Sequence, residues 1–243
     1  MTTLTYALQG REIADLSVGG SYHRLIYLIM KRLLDLIVAT ILMCAVSPLI
    51  FLAVILIKIE SKGSAIFVQE RMGARYRWEG DRIVWKMCLF RCYKLRTMWS
   101  DADQSIHKDY LRRFRKGCTE TGHASAPFKL HRDSRVTRIG QLLRKTSLDE
   151  LPQLWNVIKG EMSLVGPRPV PTYEVELYDD SHYARLAGRP GITGIWQVYG
   201  RSRVTFEEMV KMDIDYVQRS SILFDIKLLL LTITSVVSLK GAA

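Results

Sequence analysis

The stretch Ser147-Leu148-Asp149-Glu150 sets two adjacent carboxylates among cations. Arg144 lies about one helical turn upstream, and Arg168 sits between Pro167 and Pro169, whose fixed φ limits how that loop can move. Guanidinium forks match phosphate oxygens, and a helix N-terminus favours bound phosphate. Two neighbouring carboxylates among arginines can also hold Mg²⁺, a hard cation that takes oxygen ligands. Successive helical residues point about 100° apart, so Asp149 and Glu150 are expected to play different roles. An Asp with a pKa near about 4 is ionised at neutral pH and needs no base to attack phosphorus. Arginine and Mg²⁺ supply the charge screening that such an attack on a phosphate demands. Covalent phosphoryl chemistry on Asp149 is therefore physically open. So is a plainer reading: Ser-x-x-Glu has the form of a capping box, with Glu150 as a cap and Asp149 as a first-turn acid suited to the helix dipole.

The elements that must position these groups begin with an uncharged run, 36–57, with Ser47-Pro48 at its centre. A straight helix of this length measures about 33 Å, enough to cross a hydrocarbon core of about 30 Å. Arg24, Lys31 and Arg32 precede the run, and Lys58, Lys62, Arg71 and Arg75 follow it. A segment that crosses once should concentrate its Lys and Arg on one flank; here both flanks look cytoplasmic. Pro48 cannot serve the carbonyl of residue 44, and Ser47 can offer a hydroxyl to the freed group. Two readings follow: a spanning helix with a proline kink, or a helix that enters, bends at Ser47-Pro48 and leaves by the same face.

Residues 1–20 are polar and read as a mobile tail. Ala65–Gln69 and Ile83–Met87 read as short strands, with Glu79-Gly80-Asp81 as a turn between them. Polar helices are expected over 100–116 and 137–145, and a Gly/Ser-rich loop over 117–127. Leu151, Leu154, Trp155 and Ile158 recur at helical spacing, with Gly160 as the stop. A further helix is expected over 173–186. In "SILFDIKLLLLTITSVVSLK", Asp225 and Lys227 interrupt the apolar pattern, so the charge-free remainder is too short to span and reads as an interfacial or core helix.

The net charge of +11 on 243 residues, eight Lys/Arg against two acids within 71–100, points to an anionic partner or to a solvated basic face. Arg112, Arg113, Arg115 and Lys116 read as solvated or lipid-facing surface. The four cysteines form neither a disulfide framework nor a zinc set, which fits a reducing cytosol, and the five scattered histidines argue against a His-based metal site.

Taken in order, "KRLLDL", Ser47-Pro48, "FVQERMG", "YKLRTM", "RKTSLDELPQLWNVIKGEMSLVGPRP", "RPGITGIWQVYGR" and "DIDYVQRSSILFDIKLLLLTI" resemble the bacterial sugar transferases in their compact form. These are monotopic phosphoglycosyl transferases that start glycan assembly on a polyprenyl phosphate. Gly63-Ser64 departs from the Gly-Pro usual after the family's hairpin. The resemblance implies an α/β or α+β fold, mainly helical: a tail (1–22), a re-entrant membrane hairpin broken at Ser47-Pro48 (23–60) and a small cytosolic catalytic domain with membrane-surface helices (61–243). It implies transfer of sugar-1-phosphate from a UDP-sugar to undecaprenyl phosphate with release of UMP, as the first step of exopolysaccharide assembly. Asp149 would be the nucleophile that forms an aspartyl phosphosugar, and Glu150 a metal ligand or proton acceptor. Mg²⁺ would be held by Asp149 and Glu150, and phosphate oxygens by Arg144, Arg168 and Lys94. The expected setting is the bacterial inner membrane, monotopic and facing the cytoplasm, with membrane lipids but no nucleic acid as partners; a homodimer is left open.

Two other classes of function stay open. A membrane-attached basic adapter binding polyanions would account for the charge. A metal-dependent nucleotide-sugar pyrophosphatase would use the same carboxylates. The "RPGITGIWQVYGR" block reads equally as a loop near nucleotide or membrane and as a tight turn packed by Trp196.

Overall fold

The computed structural model describes residues 10–15, 21–79, 82–103, 106, 109, 133–200 and 204–237. The expected 117–127 loop, most of the 100–116 helix and the cluster Arg112, Arg113, Arg115 and Lys116 lie outside them, as do the central residues of the turn at 79–81.

The apolar run forms the middle of one helix, α1 (Ser21–Glu60). Helical hydrogen bonding continues through Pro48, so the expected break does not divide the element in two. Proline removes one backbone donor, and the Ser47 hydroxyl donates to the Cys44 carbonyl at 2.9 Å in its place. The helix is long and apolar enough to cross a membrane, and only 11% of its most apolar stretch is buried within the protein, unlike a core helix.

What α1 buries, it buries near its two ends. On the N-terminal arm Leu28, Lys31, Asp35 and Ala39 form a buried stripe at helical spacing. Arg32 donates to the carbonyls of Val157 and Ile158, at 2.6 and 2.8 Å. On the C-terminal arm Ala53 and Ile57 pack with Ala65, Leu95 and Leu143. Between them, Ile41, Leu42, Leu49, Phe51 and Leu52 are exposed.

The body is mixed α/β. Its main sheet runs β1 (Glu12–Asp15), β3 (Arg82–Leu95), β2 (Ile66–Glu79), β5 (Val170–Pro171), all antiparallel. Strands β2 and β3 form a 14-residue hairpin paired from Ile66↔Leu95 to Glu79↔Arg82, far longer than the two short strands expected. The arginines that broke the apolar alternation fit the ladder because Arg71 is buried against a neighbouring loop while Arg75 and Arg77 stand at the sheet's outer part. Residues 12–15, read as part of the tail, pair with β3 instead.

Helix α2 (Arg138–Thr146) is capped by Thr137, whose Oγ1 accepts from Gly140 N. Helix α3 (Gln153–Lys159) ends at Gly160, whose φ of 79° is the left-handed stop that glycine favours. Strands β4 (Ser163–Val165) and β6 (Gly191–Thr193) make a separate parallel pair. The helix expected over 173–186 is two pieces, α4 (Thr172–Val175) and a 3₁₀ turn (Asp180–Leu186). Asp179 and His182 form a capping box that restarts the chain between them. Helix α5 (Phe206–Arg219) opens on a Thr205/Glu208 capping box. In α6 (Ile222–Val237), Asp225, the acid that interrupts the apolar pattern, is buried and accepts from Tyr27, Lys31 and Tyr216. Leu223, Leu230 and Ile233 on α6 are exposed.

Candidate active site

The site is built where the end of β3, the turn after α2 and the β4–β5 loop meet. Ser147 closes α2 in a left-handed conformation (φ 58°), the one non-glycine positive φ among the described residues. Residues Leu148–Glu150 follow as a single 3₁₀ turn, and α3 starts beyond Pro152. The Ser-x-x-Glu pattern is therefore not a capping box: the Ser147 side chain makes no cap bond. The left-handed backbone at Ser147 turns the chain, and Glu150 reaches sideways to Lys94 on β3, 2.6 Å away. Both carboxylates stay half-buried rather than being consumed by helix capping.

Asp149 lies within electrostatic reach of Arg144. Burial lowers the pKa of the Arg144 guanidinium, and the Asp149 carboxylate pulls it back up. Arg144 Nε donates to Thr97 Oγ1 at 2.9 Å, which fixes the fork beside the turn. Helix α2 approaches this closely because Gly140 has no side chain; a Cβ there would stand 2.1 Å from the Thr97 carbonyl oxygen.

Lys94, Glu150 and Arg168 line one cleft with Arg71, Gln153, Pro169, Gly191, Ile192 and Gln197. The Pro-Arg-Pro loop is held from several directions. Arg71 Nη1 donates to the Pro169 carbonyl at 2.7 Å, the Arg168 guanidinium stands 5.5 Å from the centre of the Trp196 ring, and the Arg168 backbone N–H faces the Asp213 carboxylate and favours its ionised form. Asp213 is itself pinned by Arg185, at 2.5 Å. Burial lowers the Arg71 pKa, and the Arg168 charge lowers it further, so two cations share this wall. Asn156 ties α3 to β3, the strand that carries Lys94: its Oδ1 accepts from Tyr93 N and its Nδ2 donates to the Arg91 carbonyl.

The structure thus brings Lys94, Glu150 and Arg168 together, and sets Asp149, the next residue in the turn, within reach of the Arg144 charge. Ser47 and Pro48 lie in α1, away from the cleft. Sequence reasoning missed Arg71, Gln153, Thr97, Asn156, Gln197 and Asp213. Arg71 had been counted among the basic flank of the apolar run. Gln197 stands in the Gly-rich block, whose β6 strand and Trp196–Gly200 π-turn furnish a wall of the cleft. Both amide atoms of Gln197 and Arg71 Nε are buried without a hydrogen-bond partner among the described residues.

No group of three or more His, Cys, Asp or Glu is placed to hold a metal among the described residues. Two adjacent carboxylates beside a cationic cleft suit Mg²⁺, which takes one or two carboxylates and completes its shell with water and substrate phosphate.

The profile of the bacterial sugar transferases matches residues 26–239. The galactosyl transferase CpsE of Streptococcus agalactiae is 41% identical over 224 residues, 91% of this chain and 45% of its own. The exopolysaccharide production protein ExoY of Rhizobium meliloti is 38% identical over 212 residues, 87% of each chain. The UDP-glucose:undecaprenyl-phosphate glucose-1-phosphate transferase of Caulobacter vibrioides is 36% identical over 239 residues, 95% of this chain and 78% of its own. The chain therefore spans less than half of CpsE but most of ExoY. On the profile, the identities and a cationic cleft built around its Asp-Glu turn, the chain belongs to the bacterial sugar transferase family.

Proposed function

We propose that the protein transfers sugar-1-phosphate from a UDP-sugar to undecaprenyl phosphate, releasing UMP, as the opening step of exopolysaccharide assembly. The observation that carries the reading is the turn at 148–150. It presents Glu150 to a cleft holding Lys94, Arg71 and Arg168, and Asp149 to Arg144, without spending either acid on a cap. The relatives' names supply the substrate class: one names UDP-glucose and undecaprenyl phosphate, another exopolysaccharide production.

In this mechanism Arg71, Arg168 and Lys94 hold the oxygens of the diphosphate. An Asp149 carboxylate oxygen attacks the sugar-linked phosphorus. The bond from that phosphorus to the UMP oxygen breaks, and UMP leaves with the electron pair. A phosphate oxygen of the lipid then attacks the same phosphorus and Asp149 departs, regenerated. Arg144 screens Asp149 during approach to an anionic substrate. Asp149 and Glu150 would hold Mg²⁺, which supplies neutralisation of the diphosphate charge when bound. Lys94 fixes the Glu150 side chain for either of its roles, metal ligand or proton acceptor.

The same reading sets α1 in the cytoplasmic face of the inner membrane as a re-entrant element. Support comes from its two ends. Glu60 accepts from the backbone N–H groups of Arg138 and Ile139 at the start of α2, and Arg32 donates to carbonyls at the end of α3. A helix crossing once would put its ends on opposite sides of about 30 Å of hydrocarbon, where they could not both cap helices of one small domain.

The test is UMP release from a panel of UDP-sugars, with and without undecaprenyl phosphate. Sustained release is expected only with the lipid, near-stoichiometric release without it, and loss of both in Asp149→Asn. Many turnovers without lipid would identify a pyrophosphatase. No release, with salt-sensitive polyanion binding indifferent to Asp149→Asn, would identify an adapter.

A further inference from the structure

A second cleft, sharing no lining residue with the first, opens between the N-terminal arm of α1, the end of α5 and the loop at Gly188-Arg189. Three of its lining side chains carry a buried donor with no hydrogen-bond partner among the described residues: Arg24 Nε, Arg189 Nε and Trp85 Nε1. Trp85 is 2% exposed. Neither guanidinium nor indole can accept a hydrogen bond, so three orphan donors around one space call for a ligand made of acceptors.

The carboxylate that meets Lys31 at the cleft is engaged. Asp225 already takes Lys31 at 2.8 Å, Tyr216 at 2.7 Å and Tyr27 at 3.1 Å. Arg24 spends its Nη groups on the neutral Ser220 Oγ and Val217 carbonyl, and Arg189 stacks on Tyr76 at 5.2 Å. Neither arginine has a carboxylate partner among the described residues, so the cleft keeps an uncompensated positive charge. The helices α1 and α6 that flank the cleft also carry exposed apolar side chains on their outer faces, among them Ile26 and Leu223, the latter 81% exposed.

We propose that this cleft binds a phosphoryl oxyanion, presented by the headgroup of an anionic membrane phospholipid. Phosphate oxygens offer several acceptors to diverging N–H donors and match guanidinium geometry. The exposed apolar faces of α1 and α6 suit contact with lipid, which brings headgroups to this depth, and the arginines attract the anionic ones.

The experiment uses the detergent-solubilised full chain, titrated by native mass spectrometry with dihexanoylphosphatidylglycerol, dihexanoylphosphatidylcholine and inorganic phosphate. One saturable phosphatidylglycerol adduct is expected, at least tenfold tighter than phosphatidylcholine. Arg189→Gln and, independently, Trp85→Phe should weaken it at least tenfold and threefold respectively in protein that keeps its circular dichroism. Arg168→Gln, which alters only the other cleft, should leave it unchanged. Equal competition by inorganic phosphate would keep the oxyanion site and overturn the lipid as its source. Absence of a saturable adduct, or an adduct insensitive to both substitutions, would overturn the site itself.

Discussion

Gln197 is the residue whose environment asks most plainly for a substrate. Its amide lines the cationic cleft with both polar atoms buried and without a partner among the described residues. Leaving such atoms unpaired costs about 1–3 kcal/mol, a cost that a bound nucleotide-sugar would remove. Gln197→Leu should therefore raise KM for the UDP-sugar about tenfold while leaving Tm unchanged or slightly higher. A Tm lower by several degrees with KM unaltered would make the amide a packing element instead. Asp149→Asn tests the other chemistry at this scale. The side chain is half-buried at a turn and supports no helix cap, so the variant should fold with wild-type Tm and lose at least about a thousandfold in UMP release. The carboxylate pair and two of its cations were legible in the sequence because Asp-Glu, Arg144 and the Pro-Arg-Pro loop lie within 25 residues of one another. Arg71 was not, because nothing local distinguishes a cation that flanks an apolar run from one carried back across a sheet to the Pro169 carbonyl.

At the scale of elements, the site depends on how closely α2 seats against the chain after β3. A methyl group at position 140 would meet the Thr97 carbonyl oxygen at 2.1 Å, backbone against backbone. Gly140→Ala should therefore push α2 outward, cost about 1–3 kcal/mol, and move Arg144 off Thr97 Oγ1. Thermal unfolding should show the loss, and UMP release should fall by more than the change in folded fraction explains. A second joint is the buried cluster that carries the Pro-Arg-Pro loop. Asp213 on α5 faces Arg185 of the 3₁₀ turn, Glu174 of α4 beyond it, and the Arg168 backbone N–H. Burial, only partly offset by Arg185, raises the Asp213 pKa from 3.8 to about 6. The folded state thus holds this proton more tightly than the unfolded chain. Its contribution to stability is greatest below about pH 4 and is lost as pH rises to about 6. The Tm advantage of the wild type over Asp213→Asn should shrink across that window, by the equivalent of a few kcal/mol; an advantage that grows with pH would contradict the assignment. The sequence announced α2, α3 and the Gly160 stop through local caps and periodicity. It did not announce the long hairpin, the β4–β6 pair or this cluster. Register across a sheet and ion pairs 28 residues apart are tertiary outcomes that no short window contains.

At the scale of the whole molecule, α1 is more than an attachment, because its two ends complete the hydrogen bonding of the helices on either side of the Asp149-Glu150 turn. Glu60 satisfies N–H groups that begin α2, the helix leading into Ser147-Leu148-Asp149-Glu150; Arg32 satisfies carbonyls that end α3, the helix leading out. The sequence predicted the local chemistry of Ser47-Pro48, and the Ser47–Cys44 bond follows it. What no window of sequence could show is that both ends return to one body. If that body lies on one face of the membrane, residues just outside the two capping contacts must share that face. His23→Cys and Lys62→Cys, each exposed and each in a cysteine-free background, should be protected from a membrane-impermeant maleimide in intact cells and labelled alike once the inner membrane is opened. Labelling of one position from outside and the other only from inside would make α1 a single crossing. The capping contacts of Arg32 and Glu60 could not then coexist in the membrane-bound protein.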